Sequence, residues 1–105
     1  METAMTSEYK SFAEFYPFYL SEHSRAACRR LHLAGNTLVI AALIFSIITQ
    51  NWWALLAMPI LGYGSAWIGH FFFQKNRPAT FTYPFYSFAG DWVMMKDVLT
   101  GKIKF

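Results

Sequence analysis

LHLAGNTLVIAALIFSIITQNWWALLAMPILGYGSAWIGHFFFQ, residues 31–74, runs for 44 positions without Asp, Glu, Lys or Arg. A charge-free apolar stretch of about 18 or more residues is long enough to cross a bilayer as a helix, and this one provides about 20 for each of two spans with a short turn between them. Thr49, Gln50 and Asn51 are the polar interruption that marks the turn, and Trp52 and Trp53 follow where an aromatic belt belongs. The reading is an all-α fold: an integral membrane helical hairpin with spans over 31–49 and 52–73, flanked by interfacial amphipathic helices over 7–30 and 78–105.

A chain of 105 residues is expected to form one domain, here 1–105. A soluble domain of this size buries only about 60% of its unfolded surface, too little to hide two helices that are apolar all round. With 55% hydrophobic residues, 20% aromatic residues and a mean hydropathy of +0.25, lipid is the better solvent for this chain than water. Arg25, Arg29 and Arg30 precede the first span and Lys75 and Arg77 follow the second, whereas the turn carries no charge. Basic residues concentrate on the cytoplasmic side, so both termini are expected to be cytoplasmic. Cations confined to a membrane boundary form no separate patch for nucleic acid. Cys28 is the only cysteine, which excludes an intrachain disulfide and any CxxC pattern. Residues 1–20 include Glu2, Glu8 and Glu14 and lack a basic leader, so no cleavable signal is expected.

Residues 1–6 are polar or small and are expected to fray. From Ser7, Tyr9, Phe12, Tyr16 and Tyr19 recur at helical steps, interrupted by Pro17, whose missing amide should kink or restart the helix. This aromatic face suits a membrane surface or packing against the C-terminal segment. Ser21, Glu22 and Ser24 offer capping groups, so a helix is expected to begin near residue 22 and run into the first span. Gly62, Ala66 and Gly69 place small residues on one face of the second span, for close approach to the first span or to a second copy in a homo-oligomer. Pro59 should bend that span mildly. Pro78 and Pro84 are expected to interrupt the following segment, with Asp91 capping a helix over 92–100 and Gly101 ending it.

Chemistry rests on three histidines. His32 lies 19 positions before Asn51 and His70 lies 19 after it. At about 1.5 Å of rise per residue, an antiparallel hairpin sets both roughly 28 Å from the turn, near the cytoplasmic boundary. His23 and His32 are nine apart, about 900° on a straight helix and therefore on opposite faces, so His23 joins them only if the chain bends between. Neutral imidazole is the commonest metal ligand, and three of them, or two with a carboxylate such as Glu22 or Asp91, leave positions open on Fe(II). The structural alternative is that each histidine contacts headgroups or a backbone carbonyl at the polar boundary. Cys28 shares a helix face with His32, although a single buried cysteine usually serves packing. Arg29 and Arg30 suit a carboxylate or phosphate, or act only as topology signals. Trp67, Phe71, Phe72 and Phe73 would wall an acyl-chain groove or face lipid.

FYLSEHSRAACRRLHLAG at 18–35 and YGSAWIGHFFFQKNRPATFTYPFYSFAGDWVMMKDVLTG at 63–101 together resemble the small membrane-protein family that includes the fungal 2-hydroxy-palmitic acid dioxygenase. The resemblance implies Fe(II)-dependent α-oxidation of a 2-hydroxy fatty acid, shortening it by one carbon. It further implies that His23 and His32 of the first block and His70 of the second are metal ligands, with Arg29 or Arg30 facing the acid's carboxylate. One departure stands out: Gln74 occupies a position where the second block usually has an acidic residue. A Glu there would share the His70 face, whereas a neutral amide is a weaker ligand. The rival reading is a non-enzymatic hairpin, lipid-binding or scaffolding, with structural histidines.

Overall fold

The computed structural model describes residues 9–105, so Ser7, Glu8 and the expected frayed end lie outside the described residues. The described chain is all-helical: α1 (Phe12–Ser21), α2 (Ala26–Thr49), α3 (Ala57–Ile68) and α4 (Pro84–Leu99). A 3-10 segment, Trp52–Leu56, leads into α3, and a π-helical segment, Gly69–Gln74, prolongs it. Two continuous helical runs, Ala26–Thr49 and Trp52–Gln74, are long and apolar enough to cross a membrane. They form an antiparallel hairpin whose turn is closed by Gln50 in a left-handed conformation (φ 54°). Their outward faces are apolar and uncovered, with Ile48 75% and Ile60 71% exposed, as lipid-facing residues are.

The small-residue face of the second span meets the first span. A methyl group built on Gly69 would stand 3.2 Å from the Cα of Cys28 and 3.3 Å from its carbonyl oxygen, so any side chain there would have to push the Cys28 backbone back by a few tenths of an ångström.

The aromatic face of α1 takes the second of its two expected uses and packs on α4. Phe15, Tyr19, Leu33, Met94 and Val98 are buried together, and the Phe15 and Tyr86 rings lie 5.4 Å apart. Edge-to-face and tilted ring contacts of this kind add to simple area burial. Pro17 is accommodated inside α1, which continues to Ser21. The helix expected from near residue 22 into the span starts four residues later, at Ala26, and runs through it. The chain turns between Glu22 and Arg25, and Ser24 accepts from Gln74 Nε2 at 2.7 Å instead of capping α2. The C-terminal helix starts earlier than expected, at Pro84. A proline in the first helical turn needs no amide donor and presets φ, so Pro84 opens α4 where it was expected to block it. Asp91 therefore lies within α4 and is no cap. Gly101, with φ +86°, follows the helix end as expected.

Candidate metal centre

α2 has a rise of about 1.5 Å per residue, so His32 lies about 27 Å from Gln50, close to the edge of a hydrocarbon core roughly 30 Å thick. At that level the three histidines converge. His32 Nε2 is 3.1 Å from His23 Nε2 and 3.1 Å from His70 Nε2, and all three side chains are buried. The bend at Glu22–Arg25 is the break that brings His23 to the same side as His32.

Each imidazole is oriented by a partner on its other nitrogen. His23 Nδ1 donates to the Tyr19 carbonyl at 2.7 Å. His32 Nδ1 donates to Asp91 Oδ1 at 3.0 Å, and the same oxygen accepts from Asn36 Nδ2 at 3.1 Å. His70 Nδ1 donates to Asn76 Oδ1 at 2.8 Å, and Asn76 Nδ2 donates to the Glu22 carbonyl at 3.0 Å. With the proton held on Nδ1 in every ring, the three Nε2 lone pairs face one another. Such a set is mutually repulsive unless a cation is shared, and partners on the outer nitrogens are the usual means of orienting metal-binding histidines. Nitrogens about 2 Å from a common ion are separated by distances of this order. Burial, reinforced by His32, His70 and Arg29 nearby, holds the His23 pKa well below the ordinary imidazole value, keeping the ring neutral as a ligand must be.

Cys28 joins the three histidines: one ligand atom from each of the four lies within 4.8 Å of the others. Its Sγ is 3.9 Å from His70 Nδ1. Sequence spacing gave this thiol little weight, yet it sits under Gly69 where the two spans touch. Neither Glu22 nor Asp91 belongs to the cluster; each acts through an orienting contact, Glu22 on Asn76 and Asp91 on His32. Burial raises the Glu22 pKa, partly offset by the Asn76 hydrogen bond. Gln74 faces the α1–α2 linker, accepting from the Arg25 amide at 2.8 Å and donating to Ser24. Arg29 is bound to the carbonyls of His23, Ser24 and Lys104, and Arg30 to that of Phe105, so both guanidinium groups have backbone partners.

Asn76 and Asn36 were not singled out from sequence. Asn76 is six positions beyond His70, a spacing that only the π-helical widening and the left-handed Lys75 (φ 62°) fold back onto the ring. π-Helical turns recur at functional sites, and here the His70 carbonyl accepts from the Asn76 amide at 3.0 Å.

A cavity of 300 Å³ touches the cluster at His32 alone of the three histidines, and runs between α2, α3 and α4 from His32 and Asp91 past Val39 and Ala66 to Met58 and Pro59. Its walls are mostly apolar. Trp67, Phe71, Phe72 and Phe73 are not among them; they are exposed on the outside of the second span, the lipid-facing alternative.

Membrane-length helices enclosing a buried cluster of histidines define a small helical membrane protein with a candidate metal centre. The chain belongs to the family described as 2-hydroxy-palmitic acid dioxygenase Mpo1-like, whose pattern matches residues 9–103, nearly the whole chain. No curated protein and no solved structure matches it.

Proposed function

We propose that this protein is an Fe(II)-dependent membrane dioxygenase of fatty-acid α-oxidation that acts on a 2-hydroxy fatty acid drawn from the membrane. The observation that carries the reading is the convergence of three buried imidazoles through their Nε2 atoms, one of which, His32, also borders a mostly apolar cavity, and the family description supports the substrate class. Fe(II) held by His23, His32 and His70 would supply open positions for O2 and for the acid's oxygens. The net reaction balances with O2 as the sole oxidant: R–CH(OH)–COOH and O2 give R–COOH, CO2 and H2O.

The chain's own residues do the rest. Tyr19, Asp91 and Asn76 hold the ring protons on Nδ1 and so keep three lone pairs directed inward. Asn36 fixes the Asp91 oxygen that does this for His32. The cavity offers acyl carbons a mostly apolar space between α2, α3 and α4. Arg29 holds the linker carrying His23 through two of its carbonyls, a positioning role that competes with the carboxylate-binding role expected for it. The basic flanks support an orientation with both termini cytoplasmic, which puts the histidine cluster on the cytoplasmic side.

The test is anaerobic Fe(II) loading of detergent-purified protein, then O2 and a 2-hydroxy fatty acid. Stoichiometric iron and an acid one carbon shorter are expected, with both lost in His70→Ala. Wild type that binds no iron and forms no product would leave the non-enzymatic hairpin as the better reading.

A further inference from the structure

The C-terminal helix is apolar on two faces, and the fold uses only one of them. Met94 and Val98 turn the inner face of α4 into the core, yet Phe85 and Phe88 are 88% and 62% exposed. At about 100° per residue, Phe85, Phe88 and Trp92 fall within about 60° of one another and roughly opposite Met94. The Phe88 and Trp92 rings lie 6.4 Å apart. Outward aromatics clustered in this way mark an interaction surface.

The patch is continuous with the outside of the hairpin. Trp67, exposed on the second span, packs on Phe81 with ring centroids 5.4 Å apart; Phe81 is itself exposed, and the Ala79–Phe81 turn that carries it packs on α4. Depth then decides what covers the patch. Asp91 Oδ1 accepts from both His32 and Asn36, and both donors lie inside the charge-free run. Asn36 is four residues on from His32, about 6 Å nearer the turn. Asp91 is thus tied to the first span inside the edge of the hydrocarbon core, and Phe88 and Trp92 stand one turn before it and one residue after it. Arg77, whose guanidinium lies over the Phe81 ring at 5.0 Å, provides a cation for the headgroup level beside them.

We infer that α4 is sunk into the leaflet in which α2 begins, with Phe85, Phe88 and Trp92 against the acyl chains of the membrane lipid. Phe88 and Trp92 also line the cavity, so this placement gives the cavity a wall shared with lipid. The placement is independent of whether the histidine cluster binds iron.

The experiment attaches a nitroxide to Phe85→Cys and to Phe88→Cys in the full chain, reconstituted at high dilution into phosphatidylcholine vesicles. Ile60→Cys is the lipid-facing reference and Lys102→Cys the exposed reference outside the spans; buried Cys28 gives a low background. O2 concentrates in hydrocarbon and a nickel chelate in water, so their effects on nitroxide relaxation report what surrounds each label. Both α4 labels should resemble Ile60→Cys, with O2 severalfold more effective than the chelate, and differ from Lys102→Cys. A chelate more effective than O2 at both positions would put the patch in water and overturn the inference. Protection from both reagents together with dipolar broadening would overturn it as well, because a second copy would then be the cover. Because the labelled side chains are exposed, both variants should keep the wild-type thermal midpoint; a lowered midpoint in both would show that the aromatics pack within the fold instead of against lipid.

Discussion

Asn76 accepts a hydrogen bond from Nδ1 of His70 at 2.8 Å while its amide nitrogen donates to the Glu22 carbonyl, so one side chain fixes a ring on the second span and anchors the linker that carries His23. Removing it frees both. Asn76→Ala should weaken Fe(II) binding about 10–100-fold, the usual cost of losing an orienting partner, and Asn76→Asp, which keeps the acceptor, should recover much of it. Anaerobic Fe(II) titration measures this; unchanged affinity in the alanine variant would show that the contact does not orient a ligand.

Gln74, where the resemblance implies an acidic residue, is tied to Ser24 and the Arg25 amide. Gln74→Ala should therefore keep its iron and lose roughly 1–2 kcal/mol of stability. Gln74→Glu, expected from sequence to add a ligand, should instead leave iron affinity nearly unchanged, since the carboxylate would still face the linker. A marked tightening measured by the same titration would place residue 74 in the site.

Acid should destabilise the apo protein from near neutrality. His23 is held neutral by burial, reinforced by its neighbours His32, His70 and Arg29, with the Tyr19 carbonyl opposing the shift. Its folded pKa lies below the unfolded value of about 6.5. Between those two values the unfolded chain binds more protons, so stability is full above the unfolded pKa and declines as pH falls from there towards the folded one. Thermal midpoints taken downward from pH 8 should show the onset near pH 6.5, and His23→Gln should flatten the curve.

Gly69→Ala should push the spans apart at the level of the cluster, because the added methyl meets Cys28 backbone atoms at 3.2 and 3.3 Å. A cost of about 1–3 kcal/mol is expected, with iron binding impaired. Gly64→Ala, whose methyl meets nothing within 4 Å, is the matched control and should be neutral or mildly stabilising. Equal behaviour of the two in thermal denaturation and iron content would contradict the close approach.

A cysteine introduced at Asn51 should be labelled only from the side opposite the cytoplasm, since every cation flanking the spans lies on the terminal side of the hairpin. Cys28 is buried and provides a low background. Labelling confined to the cytoplasmic face would overturn the orientation.

The hairpin was legible because the exclusion of charge over residues 31–74 is a bulk solvation signal that needs no tertiary information. The meeting of His32 and His70 was legible because equal offsets from a turn mean equal depth in an antiparallel pair. The placement of His23 was only conditional: the bend at Glu22–Arg25 arises from α1 docking on α4, a long-range packing event. Asn76 was illegible because α-helical spacing does not bring a residue six positions on back to a histidine ring; the π-helical segment does. Pro84 was misread because the same ring that breaks a helix interior favours its first turn.

The three candidate ligands reach the site by different routes, which imposes an order of assembly. Zipping the hairpin alone juxtaposes His32 and His70, whereas His23 arrives only when α1 folds back beneath α4. A freshly inserted hairpin thus offers an incomplete set, His32 and His70 with Cys28 but without His23, and capture of a metal ion would be the last event of maturation. Iron would then act as a latch on the finished fold, and a chain whose N-terminal helix has not docked would be screened out by its failure to retain metal.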